Sequence, residues 1–291
     1  TNGLSVPGLQ GNAPATWPGP CSQLAPSFTS FRTWAPPATK KFSVGLSTFV
    51  SSLNKSEALG LDISALNEEN DVGYYTVNRS YNYEVYALLW KLGMAMDLAK
   101  IRLGLTVTTP RINLHGSGAT LFEDYLVGAD TTGDGNNNDA YIFDIQDNLR
   151  AQYRSPWAIG FGIGIPFNKG LIHLSAEWYG KIPRYTIMDA EPFIGQSTGD
   201  TISFTLIDEL NPVLNYGIGI ELNLSEKISV YGSFATDYSA VPAKIARFSE
   251  LESEANNSVF QADFFHFGGG LSIQTKAVNI TVGATYMGAS Q

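Results

Sequence analysis

Between Val213 and Leu224 apolar and polar residues alternate with a period of two. Leu214, Tyr216, Ile218, Ile220, Leu222 and Leu224 share one side, and Asn215, Gly217, Gly219, Glu221 and Asn223 share the other. Successive side chains of a strand point to opposite faces, so this segment predicts a strand with one oily face and one polar, glycine-thinned face. The same grammar returns along most of the chain. Phe42, Val44 and Leu46 alternate with Ser43, Gly45 and Ser47. Leu88, Trp90, Leu92, Met94, Met96 and Leu98 form a face that resumes, past an Ala99–Lys100 turn, at Ile101, Leu103, Leu105 and Val107. Trp157, Ile159, Phe161, Ile163, Ile165 and Phe167 alternate with Gly160, Gly162 and Gly164, turn at Asn168–Lys169–Gly170, and continue through Ile172, Leu174, Ala176 and Trp178 opposite His173, Ser175 and Glu177.

These pairs predict hairpins, because Asn-Lys-Gly and similar short links are good turn chemistry. Two more fall at 213–238 and 263–287, around Ser225–Glu226–Lys227 and Thr275–Lys276. Residues 53–71 read as a polar loop, and long polar connections at 117–140, 188–201 and 240–260 separate the pairs. A further short link, Arg154–Ser155–Pro156, conflicts in parity with the others. It reads as a bend, an outer turn, or the sign of a segment missing from the chain. Strands of roughly 9–11 residues with tight turns at one end and long loops at the other predict an all-β fold, an antiparallel transmembrane β-barrel of about 12–14 strands.

Composition agrees with that reading. Charged residues are 15% of the 291 and aromatics 12%, whereas ordinary soluble domains are roughly 25% charged. No stretch approaches the roughly 18 uninterrupted apolar residues of a membrane helix, which argues against an inner-membrane protein. A net charge of −9, with no basic cluster to displace counterions from phosphates, argues against nucleic acid as a partner. Soluble β-sandwiches and lipocalin-like barrels also alternate, but they turn the apolar face inward and carry charge outside. Here the non-apolar face is mostly Gly, Ser, Thr and Asn.

One β-domain is expected, a barrel over 41–291, preceded by an irregular N-terminal segment, residues 1–40. That segment is rich in Pro, Gly, Ser, Thr and Ala, with Trp17, Phe28, Phe31 and Trp34 scattered through it without a period. It reads either as a disordered leader or as a plug folded into the barrel lumen. The single Cys21 excludes an internal disulfide, and no apolar stretch precedes it as a lipidated cysteine or a signal peptide would require.

Two segments resemble the outer-membrane long-chain fatty-acid transporter family, which includes the toluene-transport barrels. They are Thr108–Thr109–Pro110–Arg111–Ile112–Asn113–Leu114–His115–Gly116–Ser117–Gly118 and Tyr153–Arg154–Ser155–Pro156–Trp157–Ala158–Ile159–Gly160, with Leu174–Ser175–Ala176–Glu177–Trp178 adding to the likeness. The style is that of a Bacteroidetes member. The resemblance implies a monomeric barrel in the bacterial outer membrane, plugged by its N-terminal segment, that passes hydrophobic small molecules such as fatty acids from an outer groove toward a lateral opening. The Asn-Pro-Ala stretch of the family's plug is absent from residues 1–40. Fourteen strands are also implied, against about twelve counted.

A barrel of this kind needs a cation or donor for the head group of an amphiphile. By alternation Arg102, Arg150, Arg154 and His173 fall on the inward face, where pairing with Asp97, Glu177 or Glu221 across the lumen is the plainer role. Arg111, inside the first resembling segment, is the first candidate for ligand contact. Residues 130–139 place Asp130, Asp134, Asn136 and Asn138 at alternating positions with an intervening glycine, a calcium-loop pattern, but Tyr141 stands where a bidentate acid would close it. No cofactor is otherwise required. The string Gly195–Gln196–Ser197–Thr198–Gly199 matches a hydrolase motif that needs a strand before it and a helix after it. It falls between strands with no placed histidine, so the chain is not expected to be an enzyme. The expected function is passive, ligand-gated uptake across the outer membrane, with membrane lipids and hydrophobic molecules as partners. The alternatives are a non-transporting barrel that serves as scaffold or accessory subunit of an envelope or secretion complex, and a soluble binding barrel.

Overall fold

The computed structural model describes residues 27–34, 41–66, 72–98, 100–130, 132, 134–243, 253–257, 261–275 and 278–290. Among them every regular element is a strand: β1 (Ser27–Trp34), β2 (Phe42–Leu66), β3 (Val72–Asp97), β4 (Arg102–Thr108), β5 (Ile112–Val127), β6 (Ala140–Arg150), β7 (Ala158–Phe167), β8 (Gly170–Tyr179), β9 (Ile182–Asp189), β10 (Phe193–Ile194), β11 (Thr201–Ile202), β12 (Thr205–Leu210), β13 (Val213–Ser225), β14 (Ile228–Asp237), β15 (Glu254–Asn256), β16 (Asp263–Gln274) and β17 (Asn279–Ser290). The fold is all-β, and one antiparallel sheet of twelve strands dominates it, in the order β1-β2-β3-β4-β7-β8-β13-β14-β16-β17. Off that path β5 pairs with β3 and β6 pairs with β5.

Register explains the off-path pair. β3 carries β4 along its Lys91–Asp97 half and β5 along its Tyr74–Leu88 half. β4 and β5 are therefore the lower and upper halves of one traverse. β6 and β7 divide the next traverse in the same way, β6 on β5 and β7 on β4. Arg154–Ser155–Pro156 lies in the gap between β6 and β7 and turns no corner, which removes the parity conflict. Residues 27–34, expected to be irregular, instead pair with β2, and a register shift between Ser30 and Arg32 breaks the period that would have revealed them. The remainder of the candidate plug lies outside the described residues.

The two faces of the sheet differ as the alternation predicts. Leu103, Ile163, Leu174, Ile218, Phe234, Phe267 and Tyr286 follow one another across seven strands as registered neighbours, and Ile218 is 51% exposed. One residue along, Gly104, Gly162, Ser175, Gly217 and Ala235 make the corresponding row on the other face. A cavity of about 620 Å³ lies against Gly217, Gly219, Ser233, Gly268 and Thr285, which makes the small-residue face the concave one.

The largest departure from the sequence reading is the span 53–71. Over its described residues, 53–66, strand takes the place of the polar loop: β2 and β3 pair without interruption from Phe42↔Met96 to Leu66↔Val72. At about 3.3 Å per residue the 25 residues of β2 extend roughly 80 Å, more than twice what a roughly 9–11-residue membrane strand covers. Along this hairpin the polarity of the faces inverts. Near its lower end Phe42, Val44 and Leu46 take the convex face, while Ser43, Gly45 and Ser47 take the concave one. Beyond Ser52 the convex residues become Asn54, Ser56, Ala58 and Asp62, and the concave ones become Leu53, Leu59, Leu61 and Ile63, all buried. β3 inverts at the same level, from convex Leu88, Trp90 and Leu92 to concave Val77, Tyr81, Tyr83 and Val85.

The inversion has a partner in the packing. A second sheet, in the order β15-β12-β9, lies in the long connections, with β12 antiparallel to β9 and parallel to β15. Ile182, Tyr185, Ile187, Met188, Leu206 and Ala255 of that sheet pack with Leu53, Leu59, Tyr81, Tyr83 and Val85 in one buried cluster. The expected polar connections at 117–140, 188–201 and 240–260 are thus partly strand: β5 runs on to Val127, while β9 ends in the second and β15 lies in the third. The upper part of the molecule is a cap of two layers with its own buried core, and the lower part keeps its apolar side chains outside.

Candidate functional site

Prolines fix the place where the wall is discontinuous. Pro110 stands between β4 and β5 and Pro156 between β6 and β7. Proline has no N–H to give a ladder, and neither strand can run through it in the middle of a sheet. Between the Thr108↔Ala158 pair below and the Ser117↔Arg150 pair above, residues 109–116 and 151–157 face each other without strand pairing. Two bonds cross the interval: Ala151 N donates to Gly116 O at 3.2 Å, and Arg111 N donates to Ser155 Oγ at 3.0 Å. On the far side of 109–111 the chain returns to β3, where Thr109 N donates to Trp90 O and Trp90 N to Thr109 Oγ1, both at 3.0 Å.

Backbone groups freed on the β6–β7 side are taken by β9. Gln152 N donates to Ile187 O at 2.9 Å, Gln152 Nε2 to Thr186 O at 2.8 Å, and Arg154 N to the Tyr185 hydroxyl at 3.0 Å. The cap sheet therefore backs the break from the concave side. Two glycines make that approach sterically feasible. A Cβ on Gly116 would collide with the Ala151 carbonyl, and one on Gly118 would stand 2.5 Å from the Met188 sulfur and 2.6 Å from Asn82 O.

A buried polar cluster lies behind the break. Tyr185 donates to Asp208 Oδ2 at 3.4 Å, Tyr83 to Asn257 Oδ1 at 2.7 Å, and Tyr81 to Glu57 Oε2 at 2.5 Å. Lys55 Nζ donates to the Asn257 carbonyl. Tyr83 and Lys55 thus tie β3 and β2 to the segment after β15, Tyr81 ties β3 to β2, and Tyr185 ties β9 to β12. Burial pushes the Tyr83 phenol well above its ordinary range, and burial reinforced by the Asp208 carboxylate raises Tyr185 as well. Both remain neutral donors at any physiological pH.

The structure gathers two of the five candidate ligand residues here. The Arg111 guanidinium lies 5.0 Å over the Tyr153 ring, and that of Arg154 lies 4.7 Å over Tyr185. Arg150 ends β6 on the convex face, registered with Ser117 and through it with Glu84, so the inward placement is corrected. Asn148, with φ of 58°, inserts an extra residue near Ala119 and reverses the alternation. Arg102 and His173 are on the concave face but lower down. Arg102 Nε stands 3.6 Å from Asp97 Oδ2, its neighbour on the same hairpin, and no pairing across the lumen is involved. His173 borders the 620 Å³ cavity beside Gly219. Sequence reasoning missed Ser155, Tyr153, Tyr185, Gln152 and Ile187 as parts of the break. The signal that could have found the place was a proline inside each of two apolar, alternating strands.

The segment around Asp130, Asp134, Asn136 and Asn138 is held by its own turns. Asp130 accepts from Thr132 N at 3.0 Å and from Gly135 N at 2.7 Å, and Asp134 accepts from Asn136 N at 2.9 Å. Asn138 N donates to Ala129 O at 2.8 Å, and Tyr141 belongs to β6. Thr131 and Gly133 lie outside the described residues. Among the described residues, the Asp130 and Asp134 carboxylates are thus held within the turn by backbone N–H groups. The Gly195–Gly199 string is a loop that closes the free edge of β6. The Gln196 amide accepts from Phe143 N at 2.9 Å and donates to Phe143 O at 2.7 Å, and Ser197 Oγ accepts from Tyr141 N at 2.9 Å. Ser197 is spent on an edge and has no base beside it among the described contacts.

No family model matches the chain, and no curated protein matches it. Among solved structures it is similar to the CymD monoaromatic hydrocarbon channel, with a TM-score of 0.46 and 12% identity over 91% of this chain and 77% of that one. It is similar to a TodX monoaromatic hydrocarbon channel carrying the deltaS2S3 mutation, with a TM-score of 0.46 and 11% identity over 87% and 75%. A FadL homologue of Pseudomonas aeruginosa follows with a TM-score of 0.38 and 11% identity over 88% and 68%. These likenesses concern the fold alone.

Proposed function

We propose that the chain is a bacterial outer-membrane barrel that takes up hydrophobic small molecules passively and releases them sideways, through the wall break, into lipid. The observation that supports this most is the position of the break relative to the two faces. Its edges carry Trp90 and Trp157, at the top of the convex apolar rows, and Trp157 is 52% exposed. A soluble monomer rarely exposes more than a few hundred Å² of contiguous apolar surface, so rows like these call for lipid. The inversion at Ser52 and Tyr86 would then mark the outer boundary of the bilayer, and the capped end the outside.

The concave face supports a lateral exit. Below the break it presents mainly Gly, Ser, Thr and Ala together with Lys91, Asp97, Arg102, Glu177 and Glu221, with larger residues such as Leu171 and Tyr231 set singly among them. A ring-sized molecule with roughly 150–250 Å² of apolar surface gains about 4–6 kcal/mol on leaving water for lipid. A downhill path therefore runs outward through the wall. Fatty acids and monoaromatic hydrocarbons are the substrate classes this reading favours, with the guanidinium of Arg111 or Arg154 meeting a carboxylate where one is present.

The test is flux in proteoliposomes. The protein should speed entry of toluene or a fluorescent fatty acid over protein-free vesicles while leaving glucose entry unchanged. Hydrophobic flux equal to that of empty vesicles would replace this reading with the scaffold or accessory-subunit alternative.

A further inference from the structure

The cap contains a second cavity that the uptake route does not use. It measures about 430 Å³ and lies between the concave face of β3, β5 and β6 and the segment from Thr198 to Ser203, with Ser253 at its side. Its lining is polar: Arg79 and Asp124 come from the wall, and Thr198, Asp200, Thr201 and Ser203 from the loop. Phe122 supplies one aromatic face, over which the Arg79 guanidinium stacks at 4.0 Å. Arg79 Nη2 stands 3.7 Å from Asp124 Oδ2, and Arg79 Nε is buried without a hydrogen bond.

We propose that this cavity binds a neutral, hydroxyl-rich ligand of the size of a sugar ring. Its volume falls within the roughly 300–1,000 Å³ of small-molecule sites. Its charge excludes the main competitors. One guanidinium against the carboxylates of Asp124 and Asp200 leaves the site net negative, which repels phosphate and carboxylate ligands. Arg79 in turn repels an ammonium group from Asp124. The hydroxyls of Thr198, Thr201, Ser203 and Ser253 both donate and accept, as each hydroxyl of a sugar requires. The Asp124 and Asp200 carboxylates are acceptors. An apolar ligand would strip water from the exposed hydroxyls and from the Asp200 carboxylate without replacing its hydrogen bonds. The inference is independent of the lateral-exit reading, since none of the residues that line the cavity borders the break.

The experiment is saturation-transfer NMR on the full chain in a detergent without a sugar head group. The probes are glucose, galactose, mannose and N-acetylglucosamine, with inorganic phosphate and putrescine as charged controls. At least one sugar should receive saturation and be displaced by its own excess. In the T201V/S203A double variant, which changes two exposed side chains and leaves the core intact, that sugar should bind about ten-fold more weakly. Transfer to none of the four sugars, equal binding by the double variant, or binding of phosphate or putrescine in their place would each overturn the proposal.

Discussion

The backbone N–H of Arg111 donates to the Ser155 hydroxyl at 3.0 Å across a stretch where neighbouring strands of this sheet otherwise exchange a full ladder. One side chain thus stands in for strand pairing. Ser155→Ala removes the acceptor, and the change should cost about 1 kcal/mol of local stability. Amide exchange at residues 109–113 should quicken while β4 and β7 keep their protection. Unchanged exchange at 109–113 would show that Ser155 does not hold the break.

The inversion of faces along the β2–β3 hairpin predicts opposite outcomes for one substitution type at two convex positions. Ile218→Lys should lower folding stability in lipid by about 2–4 kcal/mol, as a cation does on a lipid-facing site near the bilayer midplane. Ser56→Lys, exposed and beyond the inversion, should change it by less than about 0.5 kcal/mol. Urea titration of the refolded protein in vesicles measures both. Equal costs would remove the boundary at Ser52.

Why the upper hairpin escaped the sequence reading follows from particular residues. In Val213–Leu224 the apolar residues hold one phase from end to end, and the strand was legible at once. In β2 the apolar phase slips from Phe42, Val44 and Leu46 to Leu53, Leu59, Leu61 and Ile63, and Lys55 and Glu57 interrupt the new face. Both charges are buried and pair with each other at 3.9 Å, and each also has a partner farther along the chain, Asn257 for Lys55 and Tyr81 for Glu57. No local pattern could show that they belong to a core. The site was legible in part for a related reason. Thr108–Gly118 and Tyr153–Gly160 stood out separately, but only the cross-strand register sets them side by side, and a single left-handed residue, Asn148, was enough to turn Arg150 outward.

The buried phenols give the cap a pH limit. Burial raises the folded-state values of Tyr75, Tyr83 and Tyr185 above the ordinary phenol value of about 10. An acid whose folded pKa is raised contributes stability that is complete below the unfolded value and is lost as pH climbs through it. The cap should therefore loosen above about pH 10, and the phenolate absorbance of these residues should appear together with that unfolding. Tyr83→Phe should shift the alkaline transition upward, at the cost of the bond to Asn257. Phenolate absorbance that develops while the cap stays protected from exchange would contradict the burial argument.

The amide of Gln196 satisfies both backbone groups of Phe143 on the free edge of β6. An exposed edge is a template for pairing with another chain. Gln196→Ala should cost about 1–2 kcal/mol locally, speed exchange at residues 141–145 and increase self-association in detergent. Sedimentation identical to that of the unaltered protein would show that the loop does not protect the edge.

The most direct test of lateral release is to close the break covalently. Arg111 N and Ser155 Oγ are 3.0 Å apart, which places the two Cα atoms within roughly 7 Å, inside the reach of a disulfide. In proteoliposomes of R111C/S155C, oxidation should stop the entry of toluene, and a reductant should restore it, with the protein folded throughout. Undiminished toluene flux through the oxidised, cross-linked protein would contradict the account, because the molecule would then have a way in that does not pass through the wall.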